Sequence, residues 1–136
     1  MSHYTANLRD IEFCLFDLLG REKVMGTAPY GDVDRDTAIG MLEEMKRLCE
    51  NDLAASFVEG DRVGAILNKA TGNVTLPESF KKSYKAYVDG EWWRLDAPVD
   101  LGGMKVPPSV RWAMAEMVLG SNPAIHIYAS GYAFAQ

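Results

Sequence analysis

The stretch from Val106 to Gln136 carries only two full charges, Arg111 and Glu116. A helical surface of that length in contact with water would carry more charged side chains than two. The stretch therefore predicts helices that other protein must cover. Because it is still apolar at Gln136, where a natural terminus is more often polar, we expect the chain to continue beyond this residue.

Composition limits the class of protein. A chain of 136 residues with 48% hydrophobic content is about one globular domain. Its formal charge of -5, without a Lys/Arg stripe, argues against nucleic acid or an anionic membrane as partner. The first ten residues lack the pattern of a signal peptide, and only Cys14 and Cys49 are present, so we expect a cytoplasmic protein. No window is convincing as a membrane span, since Pro123, His126 and several glycines interrupt the most apolar one.

Hydrophobic periodicity predicts a mainly α fold of about five helices with a short β-hairpin near residues 65–76. A helix over about 7–19 should be buried on more than one side, because Phe13 and Phe16 widen its apolar face. The clearest amphipathic helix runs from Thr37 to about Val58 and is expected to end at Gly60. The other helices are expected to begin at a Thr75–Glu78 capping box and end at Gly90, to run from Pro107-Pro108 to Gly120, and to follow Ser121 or Asn122 as far as Gln136.

The acidic segment from Asp32 to Glu43 superficially fits a calcium-binding loop. An EF-hand needs Gly at its sixth position, where this chain has Thr37, and it needs a helix leading directly into the first Asp. The sequence instead favours Asp34 or Asp36 as a helix cap.

Other residues capable of chemistry lack the partners that a site would need. His126 lies on an apolar helix, which favours a packed histidine, and the Met and Cys positions of the 37–58 helix lie on its apolar stripe. The pair Trp92-Trp93 either seals a core edge or forms a stacking platform for a ligand. No phosphate-binding glycine motif occurs. The sequence thus predicts no catalytic, cofactor-binding or metal-binding residues.

A series of moderate matches, ordered along the whole chain, makes the sequence resemble a known family. The residues are Tyr4, Arg9-Asp10, Phe13 and Leu19-Gly20, then Phe80, Tyr84, Gly90, Trp92, Leu95, Pro98, Leu101-Gly102-Gly103-Met104, Pro107, Glu116 and Asn122-Pro123-Ala124. In this order and spacing they resemble the N-terminal helical domain of the FAD-dependent acyl-CoA dehydrogenases. The opening segment is similar to the extra N-terminal segment of the branch with methylmercaptopropionyl-CoA dehydrogenases and broad-chain-length enzymes.

The resemblance implies a flavoenzyme in which a carboxylate removes the α-proton of an acyl-CoA thioester while the β-hydride passes to FAD. In that family the base and nearly all flavin contacts come from a middle β-domain and a C-terminal helical bundle. Since this chain contains neither, we expect it to bind no cofactor and to be inactive by itself. Its partners would be those missing domains, acyl-CoA in the whole enzyme, and further copies in a homo-oligomer.

The resemblance also places Ile125, Tyr128 and Ala129 along the slot for the acyl tail, with the Gly102-Gly103 loop nearby. It is equally open that this face packs on a missing domain. The resemblance further divides the chain into an N-terminal extension (residues 1–33) and a helical domain (34–136) that is truncated at its C-terminus. The alternative function is a self-standing, non-catalytic helical module that binds a protein or an acyl group through its apolar C-terminal surface.

Overall fold

The computed structural model describes residues 3–130, and the predicted mainly α fold with one hairpin is confirmed. The predicted continuation of the last helix through residues 131–136 lies outside the described residues. The elements are α1 (Leu8–Glu12), which continues as a π-helix (Phe13–Leu18), α2 (Arg35–Leu48), α3 (Phe57–Val63), β1 (Ile66–Leu67), β2 (Val74–Thr75), α4 (Glu78–Asp89), α5 (Pro108–Ser121) and α6 (Pro123–Ala129).

The second helical region begins as predicted at an Asp34 cap, whose Oδ1 accepts a hydrogen bond from the Thr37 N–H at 2.8 Å. It is not one continuous α-helix. A π-helix (Cys49–Leu53) and a 3-10 turn (Ala54–Ser56) separate α2 from α3. The prediction that it ends at Gly60 was wrong: α3 continues to Val63, and the chain turns at Gly64, whose φ of +64° favours glycine.

The core lies where α2, α4, α5 and α6 meet. Leu42, Met45, Val110, Met114 and Met117 are among its most deeply buried side chains, which agrees with the apolar stripes of these helices. Cys49 is fully buried in the same core. The methionine positions that the sequence assigned to packing therefore do pack.

The N-terminal segment is held against the helical core by several contacts. The Ala6 N–H donates to Glu50 Oε1 at 2.9 Å, and the Arg35 guanidinium lies 4.6 Å from the centre of the Phe16 ring. Phe16 and Leu15 are buried, but Phe13 is exposed. The prediction that this helix is buried on more than one side was therefore wrong, because Phe13 and Leu18 are both exposed. The boundary between residues 33 and 34 stays a prediction.

The hairpin has the predicted position and is antiparallel, with Ile66 opposite Thr75 and Leu67 opposite Val74. The capping box predicted to follow it does not form. Thr75 belongs to β2, and Pro77 occupies the N-cap position of α4 without a side-chain cap, while Glu78 pairs with Lys81. The helix ends before Gly90 as predicted.

Candidate functional site

Helix α6, on which the sequence places the acyl-tail residues, is positioned by the buried side chain of Asn122. Its Oδ1 accepts a hydrogen bond from the Ile125 N–H at 3.4 Å and caps the helix. Its Nδ2 donates to the Leu53 carbonyl and to Ser56 Oγ, each at 3.1 Å. In a continuous α-helix the Phe57 N–H would donate to the Leu53 carbonyl. In the 3-10 turn it donates to the Ala54 carbonyl instead, so the Leu53 carbonyl can accept from Asn122. The break in the second helical region thus supplies the partner that fixes the start of α6.

The three α6 residues assigned to the acyl slot differ in exposure. Ile125 and Ala129 are buried in the core, whereas Tyr128 is 52% exposed. The Tyr128 ring packs edge-on against Phe80 and Tyr84 of α4, with ring centres 5.5 Å and 6.2 Å apart. Of the three side chains, only that of Tyr128 is exposed enough for a ligand to contact it. Ile125 and Ala129 attach the helix to the core.

A pocket of about 280 Å³ opens beside the start of α6. It lies between α3 and α6, and Phe57, Gly60, Phe80 and Pro123 are among its lining residues. The Phe80 ring forms one wall, and a Cβ at Gly60 would make an ordinary van der Waals contact with it at 3.6 Å. The pocket is apolar on most sides and close in size to the smallest ligand sites.

The Gly102-Gly103 loop is a closely packed turn. A Cβ at Gly103 would lie 1.7 Å from the Ala97 carbonyl oxygen, so no side chain fits there. The Gly103 N–H donates to Pro98, and Arg94 Nε donates to the Gly102 carbonyl, each at 2.9 Å. These described contacts lie within residues 94–103, whereas α6 packs on α4 and α5. The structure thus gives the two groups of predicted site residues different neighbours.

An ion pair joins this loop region to α5. Both Arg111 Nε and Nη2 contact Asp96 Oδ1, and the Asp96 side chain is only 12% exposed. Nearby, Trp92 packs against the core while remaining partly exposed, which agrees with the core-edge interpretation of the Trp92-Trp93 pair. The Asp96–Arg111 ion pair therefore attaches the loop region to α5, and the Trp92 ring packs it against the core.

Burial is the first cause of the raised pKa values of three side chains, Cys49, Tyr4 and Tyr87. Burial raises the pKa of the Cys49 thiol to about 12, and burial with neighbouring acidic groups raises that of Tyr4 to about 12. The pKa of Tyr87 is also raised, first by burial and then by Asp96.

Among residues 3–130 no three His, Cys, Asp or Glu side chains are grouped so as to hold a metal ion. Over the same residues no helix has the length and apolarity to cross a membrane.

Comparison with known proteins shows which enzymes the chain is similar to. No family model matches the sequence. Over all 136 residues the chain is 48% identical to the broad-specificity linear acyl-CoA dehydrogenase FadE5 of Mycobacterium tuberculosis. The match covers 22% of that protein. The chain is homologous to acyl-CoA dehydrogenases. A second relative of this kind, the 3-methylmercaptopropionyl-CoA dehydrogenase of Ruegeria pomeroyi, is 36% identical over 115 residues, which are 85% of this chain and 19% of that protein.

The chain thus spans about a fifth of the length of the acyl-CoA dehydrogenases that it matches. Both the family and the branch named from the residues are confirmed by these relatives, and so is the helical fold class. The sequence reasoning missed the contact of Asn122 with Leu53 and Ser56. It recognised Asn122 as a possible cap, but nothing local marks a contact with a residue so distant in sequence.

Proposed function

We propose that these 136 residues form the N-terminal part of an FAD-dependent acyl-CoA dehydrogenase that catalyses α,β-dehydrogenation of acyl-CoA thioesters. The observation that carries this proposal is the match to two acyl-CoA dehydrogenases, 48% identical over the full chain and 36% identical over 85% of it, although the chain covers only 22% and 19% of those proteins. In the whole enzyme the cofactor would be FAD, bound with the catalytic base by later domains of the same polypeptide. The enzyme would be a cytoplasmic homo-oligomer, and this chain by itself would be inactive.

Within that enzyme we propose that Tyr128 contacts the acyl tail and that Ile125 and Ala129 hold its helix in place. We propose that the Gly102-Gly103 loop lies near another part of the same tail, since its contacts in this chain are with residues 94–103 and not with α6. Support comes from the exposure of Tyr128, whose ring packs edge-on against Phe80, a residue that lines the apolar pocket beside the start of α6. Tyr128 itself is not among the lining residues of that pocket. Apolar walls suit a ligand made of methylene groups, each worth about 0.8 kcal/mol when buried.

The first experiment is the intact mass and visible spectrum of the protein purified from its natural source. A yellow species several times heavier than 15.1 kDa supports the proposal. A colourless species near 15.1 kDa contradicts it.

The assignment of Tyr128 is tested separately in the whole enzyme. Replacing Tyr128 by Ala should raise KM for long acyl-CoA substrates about tenfold and leave short ones nearly unchanged, because only a long tail reaches this side chain. Phe13→Ala, which removes another exposed aromatic residue, is the matched control. Equal effects on short and long substrates would contradict a contact with the tail.

The alternative function, a non-catalytic module, is favoured by one observation. On α6, Ile127 is 69% exposed beside Tyr128, so an apolar strip faces outward. A protein of this length that binds acyl chains or a partner protein, and loses that binding in an Ile127→Asn variant, would support the module.

A further inference from the structure

Two adjacent backbone carbonyls in residues 49–56, which we call the helix break, accept hydrogen bonds from side chains of two other helical regions. The Leu53 carbonyl accepts from Nδ2 of Asn122, the N-cap of α6, at 3.1 Å. The Asp52 carbonyl accepts from Ser83 Oγ of α4 at 2.7 Å. Asn122 and Ser83 are both buried. Because both donors are buried within this chain, these contacts do not depend on what covers the outer surface in a longer protein.

The two hydrogen bonds attach the helices that carry an aromatic cluster. Ser83 lies between Phe80 and Tyr84 in α4, and Asn122 begins the helix that carries Tyr128. The Tyr128 ring packs edge-on against the rings of Phe80 and Tyr84. Since the two acceptors belong to adjacent residues, α4 and α6 are both attached to one point of the helix break. The place of the Tyr128 ring over α4 therefore depends on these hydrogen bonds as well as on apolar packing.

We propose that Asn122 and Ser83 are positioning residues, which hold the Tyr128 ring where it contacts the acyl tail. This inference rests on the proposed function, in which Tyr128 has that contact. Neither Asn122 nor Ser83 has to touch the tail, because each acts through the helix that it attaches. A displacement of about 1 Å is enough to weaken a site that depends on exact placement of its side chains.

The test measures kcat and KM of the full-length, flavin-loaded enzyme with a short and a long straight-chain acyl-CoA. Asn122→Ser keeps an oxygen that can cap α6 but removes the amide donor to the Leu53 carbonyl. Ser83→Ala removes the donor to the Asp52 carbonyl. Each variant should raise KM for the long substrate about threefold to tenfold and leave kcat and KM for the short substrate nearly unchanged.

Two control variants separate positioning from a general loss of structure. Ser79→Ala removes a hydroxyl group from the same helix, α4, but Ser79 donates to Glu59 of α3 and not to the helix break. It should leave both KM values unchanged. Val33→Ala removes buried apolar atoms outside α4, α6 and the helix break. Lost stability of that kind reduces the amount of active enzyme, so it should lower the rates with both substrates by the same factor.

A double-mutant cycle with Tyr128→Ala shows whether the two residues act through Tyr128. In that background Asn122→Ser and Ser83→Ala should leave the ratio of the long-substrate KM to the short-substrate KM unchanged, because the positioned ring is absent. The proposal is overturned if either change alters this ratio as much without the Tyr128 ring as with it. It is also overturned if either single variant leaves the ratio at the value of the unaltered enzyme.

A crystal structure of the Asn122→Ser enzyme tests the positioning without catalysis. The start of α6 should move away from Leu53, and the Tyr128 ring should shift relative to Phe80. An unmoved α6 and Tyr128 ring would overturn the proposal even if the kinetic constants changed. The dehydrogenase proposal fails on other measurements, the mass and flavin content of the unaltered protein, so the two failures are distinguishable.

Discussion

The side-chain amide of Asn122 donates a hydrogen bond of 3.1 Å to the backbone carbonyl of Leu53, 69 residues earlier in the chain. The same nitrogen donates to Ser56 Oγ, and all three residues are buried. One side chain thus caps α6 and also closes the break between α2 and α3. These hydrogen bonds join two elements that lie far apart in sequence. They fix the relative position of the two elements more precisely than packing by apolar side chains would.

Replacing Asn122 by Ala should lower the free energy of unfolding by about 2–4 kcal/mol. The change removes a helix cap and leaves a buried carbonyl without its amide donor. Urea unfolding of the 136-residue chain measures it. Asn51→Ala is the control, since Asn51 makes an exposed hydrogen bond to Arg47 and should change stability by less than about 0.5 kcal/mol. Equal values for the two variants would mean that the buried amide contributes little.

Gly120 leaves space for the Tyr4 ring, because a Cβ there would lie 2.5 Å from Tyr4 Cε2. Gly120→Ala should therefore destabilise the protein by about 1–3 kcal/mol, as the ring must move. Gly40→Ala, in α2 with open space around it, should instead stabilise by about 0.5–1 kcal/mol. In a Tyr4→Ala background the cost at Gly120 should disappear. An unchanged cost in that background would show that the ring is not the obstacle.

The Asp96–Arg111 ion pair should matter more than the surface pairs. Arg111→Met leaves the nearly buried Asp96 carboxylate without its cation and is expected to cost about 3 kcal/mol. Arg47→Met removes the exposed partner of Glu44 and should cost less than about 1 kcal/mol. Thermal unfolding at low and high salt checks both values. If Arg111→Met were as mild as Arg47→Met, Arg111 would not be the interaction that stabilises the Asp96 carboxylate.

The two cysteines should differ in reactivity towards a thiol reagent. Burial raises the pKa of Cys49 to about 12, so its thiolate is scarce at neutral pH and also shielded, whereas Cys14 is exposed. An aromatic disulfide reagent at pH 8 should titrate one thiol rapidly in the native protein and two in denaturant. A Cys14→Ser variant should show no rapid phase. A rapid phase in that variant would mean that Cys49 is accessible.

The Asp34 cap should give the protein a contribution to stability that depends on pH. Hydrogen bonds from the Thr37 side chain and then its backbone N–H hold the pKa of Asp34 below its usual value. A carboxyl group of this kind stabilises the fold above its unfolded pKa and loses that contribution as pH falls through its folded pKa. Asp34→Ala should therefore lower Tm at pH 7 and have a smaller effect at pH 2. An equal effect of Asp34→Ala on Tm at the two pH values would contradict this explanation.

The sequence by itself determined the helical fold class, the hairpin, a helix cap at Asp34 or Asp36, and the family that the chain resembles. These depend on local patterns: apolar residues at helical spacing, a turn signal, and moderate matches in a fixed order. The sequence prediction failed at the ends of some elements, where a residue can belong to either of two neighbouring structures. Thr75 was assigned to a capping box, but it joins the β-ladder, and Gly60 was assigned to a helix end, but α3 continues to Val63.

Only the tertiary structure decided which apolar residues are open to a partner. Ile125 and Tyr128 are both apolar in character and stand three residues apart on one helix, yet one is fully buried and the other half exposed. Local spacing fixes which face of a helix is apolar, but the arrangement of α4, α5 and the broken second helix fixes how much of that face is covered. That arrangement depends on contacts such as Asn122 with Leu53, which join residues far apart in the chain and leave no local signal.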